Sequence, residues 1–254
     1  MEGDLLSEPS YLFGTMHVRD RRAFQGLDAV YEKISVCDGF AAEFHLEQAG
    51  QGFNTELMQL PDDQRLSECF PAKKYKKYRN ILLKTAGLDI AQFERSLPFV
   101  VVNLATEYFL SHDMPESLDA HLWGFAKEQE KTLHGIETLQ EQLAVLQKIS
   151  LETQLKMLSG MCKSITRFRQ YLLHLTDLYE AGEVRQLYKM VKKNTKGMRQ
   201  LMLYRRNEVM AERIVALVRE QSVFLAIGAA HLGGGKGVLR GLKQQGLHLT
   251  PVFS

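Results

Sequence analysis

The sequence has few cysteines, no long apolar run and no excess of charge of either sign. Its 254 residues include three cysteines, Cys37, Cys69 and Cys162. Their odd number and the lack of CxxC spacing argue against a disulfide framework and against a zinc–thiolate site. The longest apolar stretches, Phe99–Leu104 and Val223–Ala230, are far too short to cross a bilayer. Because 32 basic residues nearly balance 30 acidic ones, the overall charge does not indicate a nucleic-acid partner.

Two further patterns that could suggest a function fail when their spacing is checked. GGGKG, at Gly233–Gly237, is not a phosphate loop, because Ala230 stands where the first glycine is required and Gly237 where Ser or Thr is required. Its glycines can instead let the backbone turn tightly, and their N–H groups can bind an anion or an oxyanion. The basic run at residues 73–79 is interpreted as a solvated helix face rather than an RNA-binding surface.

One pattern occurs near both ends of the chain. SYLFGTMH runs from Ser10 to His17, and SVFLAIGAAH runs from Ser222 to His231. Each is a β-prone run that reaches a glycine and, three residues later, a histidine. Since glycine permits a tight turn of unusual φ/ψ, each histidine is predicted to lie just past the carboxyl end of a strand. In open α/β sheets, ligands bind at that edge.

The residues after His17 predict a βαβ unit. Apolar residues at helical spacing predict a helix over Asp20–Ile34, with Asp20 as its N-cap. A β-prone run follows at Phe40–Phe44 and contains Glu43. Strands joined by such a crossover are parallel, so their carboxyl ends share one edge and Glu43 is expected near His17.

The carboxyl-terminal segment repeats this pattern. It predicts a strand at Val223–Ile227, a helix that begins near Lys236 and a final strand at Leu247–Phe253. The two histidines and Glu43 can then converge on one site, where they could bind a metal ion or share proton transfer. The alternatives are capping or packing histidines and a surface carboxylate. The predicted fold is α/β, with a central, mainly parallel sheet built from βαβ units at both ends of the chain.

The middle of the chain predicts mostly helices. Pro98 is placed to start one of them, because its missing N–H costs nothing in a first turn. A strand at Thr132–Gly135 between two helices gives a third β/α element. We expect a single domain, whose sheet core covers about 10–50, 117–149 and 199–254. A large helical insertion, about 51–116 and 150–198, is expected to form a cap over the sheet edge and to shape a cleft.

Four runs in this order resemble the TraB/GumN family. They are SYLFGTMHV with the following AAEF, SLDAHLWGFAKEQEKTLHGIETLQEQL, YRRNEVMAERI with its Arg206–Asn207 pair, and FLAIGAAHLGGGKGVLRGLKQQGLHLTPV. The resemblance covers nearly the whole chain. This sequence departs from the family in having His45 where many members have an acidic residue, and in having almost nothing before SYLFGT.

The resemblance implies a metal-dependent peptidase whose active site contains His17, Glu43 and His231 as metal ligands or acid–base groups. The family includes the Tiki proteases, which depend on manganese or cobalt. The resemblance therefore favours one of these two metals, and zinc or iron is possible. A peptide or protein is the expected substrate. The wider superfamily leaves two alternatives open: a metal-free His/Glu hydrolase of esterase type, and a protein that binds haem or a peptide without turnover. The oligomeric state is undetermined.

The resemblance also draws attention to other residues and to location. Arg206 is predicted to neutralise a substrate carboxylate or an oxyanion, and the alternative is a structural ion pair with Asp119 or Glu137. His45 shares a strand face with Glu43 and could be an extra ligand. The charged start of the chain lacks the apolar core of a signal peptide. Because relatives are often exported, we expect an extracytoplasmic protein seen without its leader, with the cytoplasm as the alternative.

Overall fold

The computed structural model describes residues 1, 8–47, 55–195 and 197–252. In chain order, its strands and α-helices are β1 (Tyr11–Thr15), α1 (Leu27–Val36), β2 (Gly39–Phe44), α2 (Ala72–Ala86), α3 (Pro98–Phe109), α4 (Leu118–Glu128), β3 (Thr132–Glu137), α5 (Leu139–Gln147), α6 (Leu151–Lys163), α7 (Ile165–Glu180), α8 (Val184–Asn194), α9 (Arg205–Glu220), β4 (Val223–Gly228), α10 (Ala229–Leu232) and α11 (Val238–Gln244). Short 3-10 turns lie at Arg21–Phe24, Thr55–Met58 and Ile90–Phe93, and a π-helical turn at Gln200–Tyr204 leads into α9.

The chain forms two compact units. The first contains residues 1–52, 112–142 and 175–254, and the second contains 53–111 and 143–174. In the first unit, four strands make one sheet in the order β1-β4-β2-β3, and every pairing is parallel. The predicted α/β class and parallel sheet are therefore confirmed.

Helices cover both faces of this sheet. Alternate residues of β4, Val223, Leu225 and Ile227, are fully buried in a core built with α9 and α11. On the other face, the Phe40 ring stacks on Phe224 and packs edge-on against Trp123 of α4. Burial on both sides explains why these strands are continuous apolar runs rather than alternating ones.

The second unit is helical. α3 begins at Pro98, as predicted, and packs against α6. The side chain of Gln154 in α6 is buried, accepts from the Phe99 backbone N–H and donates to the carbonyl of Ile149. Placement of the helical insertion over the sheet edge stays a prediction. No helix in the described ranges is long and apolar enough to cross a membrane.

Three local predictions need correction. Asp20 caps the 3-10 turn that precedes α1, and its side chain accepts from the Arg22 backbone N–H, whereas α1 itself begins at Leu27. The strand predicted to end at Gly135 continues to Glu137. No strand forms over residues 247–252, and Phe253 lies outside the described residues. Pro251 has no backbone N–H to donate, which disfavours a paired strand there.

Candidate functional site

The carboxyl ends of the four strands form one edge of the sheet, and the candidate residues lie along it. The register pairs Thr15 at the end of β1 with Gly228 at the end of β4, and Phe44 of β2 with Glu137 of β3. Since β4 lies between β1 and β2, the strands that lead to His17, His231 and Glu43 are adjacent. This arrangement confirms that the strands bearing them are parallel members of one sheet.

The two GxxH glycines allow close packing rather than an unusual turn. Neither has a positive φ, and Gly228 has φ −55°. A Cβ on Gly14 would lie 2.7 Å from the Leu232 side chain, and a Cβ on Gly228 would lie 2.8 Å from Glu43 Oε1. The prediction of unusual φ/ψ was therefore wrong. The glycines let α10 and the Glu43 carboxylate approach the strand ends.

Glu43 lies in a cluster of charged side chains. Its Oε2 accepts from Arg206 Nη2 at 2.7 Å, and its Oε1 accepts from the Gly228 backbone N–H at 2.8 Å. The guanidinium also donates through Nε and Nη2 to Glu137, at 2.5 to 3.1 Å. Gln142 Nε2 lies 3.4 Å from Glu43 Oε2 and 3.3 Å from Glu137 Oε2. Two carboxylates therefore share one guanidinium, which leaves one formal negative charge.

This cluster keeps Glu43 ionised. Burial alone would raise the pKa of its carboxyl. The positive charge of His231 in its protonated form, the charge of Arg206 and the Gly228 N–H outweigh burial and lower the pKa to about 2. Burial alone would lower the pKa of Arg206, but its bonds to Glu137 and the charge of Glu43 raise it. The alternative interpretation of Arg206, a structural ion pair with Glu137, is therefore present, and Arg206 contacts Glu43 as well. The predicted role of Arg206 toward a substrate stays a prediction.

His231 is held in one orientation by α9. Its Nδ1 lies 2.6 Å from Asn207 Oδ1, and Asn207 Nδ2 donates to the Lys236 carbonyl at 2.7 Å. Because the amide nitrogen is used on Lys236, Oδ1 is the acceptor that faces the imidazole. The proton of neutral His231 is then on Nδ1, and Nε2 carries the lone pair.

The lone pair of His231 faces a carboxylate. Nε2 lies 3.8 Å from Glu43 Oε1, which is beyond hydrogen-bond distance. Burial, together with the positive charge of Arg206, lowers the pKa of His231 to about 4 although Glu43 opposes this shift. Two electron-rich atoms therefore face each other without a proton between them at neutral pH. A cation between Nε2 and Oε1 would satisfy both, so this pair fits a metal ion.

His17 lies on the same edge in a different contact set. Its Nδ1 is 3.3 Å from Asp119 Oδ2, and Thr15 donates to Asp119 Oδ1 at 2.7 Å. The His17 side chain is 67% exposed, in contrast to 8% for His231. A carboxylate behind Nδ1 orients the imidazole, as it does in many metal and acid–base sites. Tyr179 fixes the strand before it by donating to the Gly14 carbonyl at 2.8 Å.

The structure joins Glu43, His231 and Arg206 but gives no complete metal cluster. Among the described residues, no group of three or more His, Cys, Asp or Glu side chains is arranged to hold an ion. His45 packs edge-on against Trp123, with ring centroids 4.8 Å apart, and its buried Nδ1 has no hydrogen-bond partner among the described residues. The ligand roles assigned to His17, Glu43 and His231 stay predictions.

Sequence reasoning gave Asn207 no role, named Glu137 only as an alternative ion-pair partner of Arg206, and missed Gln142 and the Gly228 N–H. Asn207 immediately follows Arg206, and the two side chains reach opposite sides of the site, toward His231 and Glu43. The Gln142 contacts had one available signal, because Gln142 lies in the second of the four runs that resemble the family. No sequence signal marks a backbone N–H as a hydrogen-bond donor to the site.

The parallel α/β sheet therefore brings His231, Glu43 and Glu137 to one edge. Residues 3–251 match the TraB/PrgY/gumN family, and the chain belongs to this family. It is 25% identical to metalloprotease TIKI2 of Xenopus tropicalis, covering 96% of this chain and 58% of that protein. It is also 25% identical to TIKI2 and 22% identical to TIKI1 of Danio rerio, over 94% and 96% of this chain. The chain spans about three-fifths of the length of these relatives. No solved structure matches it significantly.

Proposed function

We propose that this chain is a metal-dependent hydrolase that cleaves peptide bonds. The observation that carries the proposal is the 3.8 Å approach of the His231 Nε2 lone pair to the ionised Glu43 Oε1. The relatives named metalloproteases support the same reaction class. His231 and Glu43 would hold the ion, with His17 as a third ligand from the same edge.

A divalent ion, with manganese or cobalt favoured and zinc or iron possible, would polarise the scissile carbonyl and lower the pKa of water. The chain's own residues prepare the site. Asn207 keeps the proton of His231 on Nδ1, so that Nε2 stays available. Arg206 keeps Glu43 ionised, and Glu43 is then either a ligand or the base that accepts a proton from water.

Arg206 has a second role in this proposal. Its Nε and Nη2 are used on Glu137 and Glu43, and Nη1 has no acceptor among the described residues. A guanidinium fixed in this way costs little reorganisation when charge develops on a substrate oxygen. We propose that Nη1 steadies the oxyanion of the tetrahedral intermediate.

A second candidate function is metal-free acid–base hydrolysis with His17 as the base. The exposed imidazole is oriented by Asp119, which is in turn fixed by Thr15. A base held by a carboxylate in this manner can abstract a proton from water without a metal ion. Metal dependence separates the two candidates.

The experiment is digestion of a peptide library with and without a chelator, followed by addition of manganese or cobalt. We expect cleavage that the chelator abolishes and the metal restores. Glu43→Gln and His231→Ala should each lower turnover at least 100-fold, whereas His248→Ala, at an exposed position, serves as the matched control. Wild-type rates in both site variants would refute the peptidase. Chelator-resistant cleavage lost in His17→Ala would favour the second candidate.

Metal binding has its own readout. Saturating manganese or cobalt should raise the Tm of the wild-type protein, because an ion that binds only the folded state stabilises it. The increase should vanish in His231→Ala. Glu43→Gln should retain it only if Glu43 is the base rather than a ligand. An unchanged increase in His231→Ala would show that the ion binds elsewhere.

A further inference from the structure

A cavity of about 380 Å³ lies beside the segment that follows His231. Three cationic side chains line it: Arg185 from the start of α8, and Arg240 and Lys243 from α11. Three apolar side chains, Val184, Leu232 and Leu239, line it as well. No acidic residue is among the described residues that form its wall.

All three cations lie at exposed positions, where their charges reach the solvent. None of them forms an ion pair with a residue in the described ranges, so their charge is not neutralised locally. With 32 basic and 30 acidic residues in the chain, a mixed surface would be the ordinary arrangement. Three like charges around one cavity create a positive local potential that attracts an anion.

The remaining wall of the cavity is formed by glycine backbone. Gly233 and Gly234 line the cavity, and their other side contacts the ring of Tyr188. A Cβ on Gly233 would lie 2.9 Å from Tyr188 Cβ, and one on Gly234, where φ is +85°, would overlap the Tyr188 ring. Larger residues are therefore excluded by packing, and the backbone of this segment forms part of the wall.

We propose that this cavity binds an organic anion with a carboxylate or phosphate head and a small apolar body. The head would lie among Arg185, Arg240 and Lys243, and the body against Leu232 and Leu239. The volume falls in the range of small-ligand sites. This proposal does not rest on the proposed peptidase reaction.

The test is titration of the full chain with three probes: N-acetyl-leucine, its uncharged analogue N-acetyl-leucinamide, and inorganic phosphate. Binding is followed by isothermal calorimetry and by NMR shift changes. We expect the wild-type protein to bind N-acetyl-leucine at least tenfold more tightly than the amide, with affinity that falls as salt is raised. Tighter binding of phosphate than of N-acetyl-leucine would identify phosphate as the head group.

The variant Arg240→Gln/Lys243→Gln should weaken binding of the anionic probe at least tenfold, and Arg185→Gln should weaken it separately. Lys189→Gln/Arg219→Gln removes the same charge from exposed positions outside the cavity wall and should leave binding unchanged. Circular dichroism verifies that each variant is folded. Equal binding of acid and amide, no binding of either anionic probe, or full binding by the double variant would overturn the proposal.

Discussion

At the scale of single residues, His231 shows how surroundings set a protonation state. Its imidazole is buried beside a guanidinium, and both effects disfavour a second proton. Asn207 then selects the tautomer through the hydrogen bond to Nδ1. The site therefore contains a neutral imidazole nitrogen next to an ionised carboxylate. That combination suits a metal ion, because ligand histidines must be neutral.

This protonation state predicts a dependence of stability on pH. The folded pKa of His231 is about 4, and the unfolded value is 6.5. Below pH 6.5 the unfolded chain therefore binds a proton that the folded chain does not, and the free energy of unfolding should fall as the pH drops from 6.5 to 4. The His231 contribution is about 3 kcal/mol at most. Urea unfolding of the wild type and His231→Gln at several pH values measures it.

The informative quantity is the difference in unfolding free energy between the two proteins. It should shrink steadily below pH 6.5, whereas His248→Gln, at an exposed position, should parallel the wild type. A difference that stays constant between pH 6.5 and 4 would show that burial does not depress the pKa of His231.

Glu43 affects stability over a lower pH range than His231 does. Its lowered pKa gives stability that is present above about pH 4.5 and lost toward pH 2.

Sequence reasoning could place Glu43 and His231 because parallel strands end on the same edge. It could not assign Asn207 its role, since the contact depends on how α9 is rotated against α10. It also gave the wrong reason for Gly14 and Gly228. A glycine can be required either because its backbone must adopt an unusual φ or because a side chain would not fit. The sequence does not distinguish these two reasons, whereas the packing of Leu232 and Glu43 against the glycines does.

At the scale of elements, the end of β4 and the short helix α10 determine the geometry of the site. α10 turns directly out of the strand and presents His231 within four residues. The pattern of a strand followed closely by a histidine was therefore enough to predict that His231 lies at the carboxyl edge of the sheet. The apolar pattern over residues 247–252 did not produce a strand, and Pro251, which has no N–H to donate to a ladder, disfavours one there.

Gly228→Ala should disrupt this element. The added methyl group would lie 2.8 Å from Glu43 Oε1, so the carboxylate must move away from the Gly228 N–H. We expect a loss of about 1–3 kcal/mol in the free energy of unfolding, as for other overpacked sites. Peptide turnover, if the proposed function holds, should fall at least tenfold. Urea unfolding and kcat/KM measure the two effects.

Gly235→Ala is the matched control, because a Cβ there meets nothing within 4 Å and φ is not positive. It should retain wild-type stability within about 0.5 kcal/mol. If Gly228→Ala behaves like Gly235→Ala, then close packing at the end of β4 is not the reason for glycine in this motif.

At the scale of the whole molecule, the chain builds two cores. The sheet unit buries residues such as Leu225 and Ile214, and the helical unit buries Leu82 and Leu158. Each unit is assembled from segments distant in sequence. Chains of this size commonly depart from two-state unfolding when they contain separate cores. The sequence indicated a helical insertion, but it could not give the boundary near residue 175, because α7 continues through it without a break.

The single tryptophan allows the two cores to be followed separately. Trp123 lies in α4, is 5% exposed and packs edge-on against Phe40, so its fluorescence reports the sheet unit. The circular dichroism signal of α-helices reports both units, because both contain helices. Leu158→Ala should destabilise the helical unit by about 2–5 kcal/mol through the cavity it leaves. We therefore expect part of the dichroism to be lost at lower urea while the fluorescence midpoint stays near that of the wild type.

Leu225→Ala is the reciprocal variant, since Leu225 is fully buried in the sheet core. It should shift the fluorescence midpoint to lower urea by a comparable free energy. Coincident shifts of both probes in both variants would mean that the chain unfolds as one cooperative unit. In that case a substitution in the helical insertion would also change the population of intact Glu43–Arg206–His231 sites. Separate transitions would instead allow the insertion to open while the sheet edge and its charged cluster remain folded.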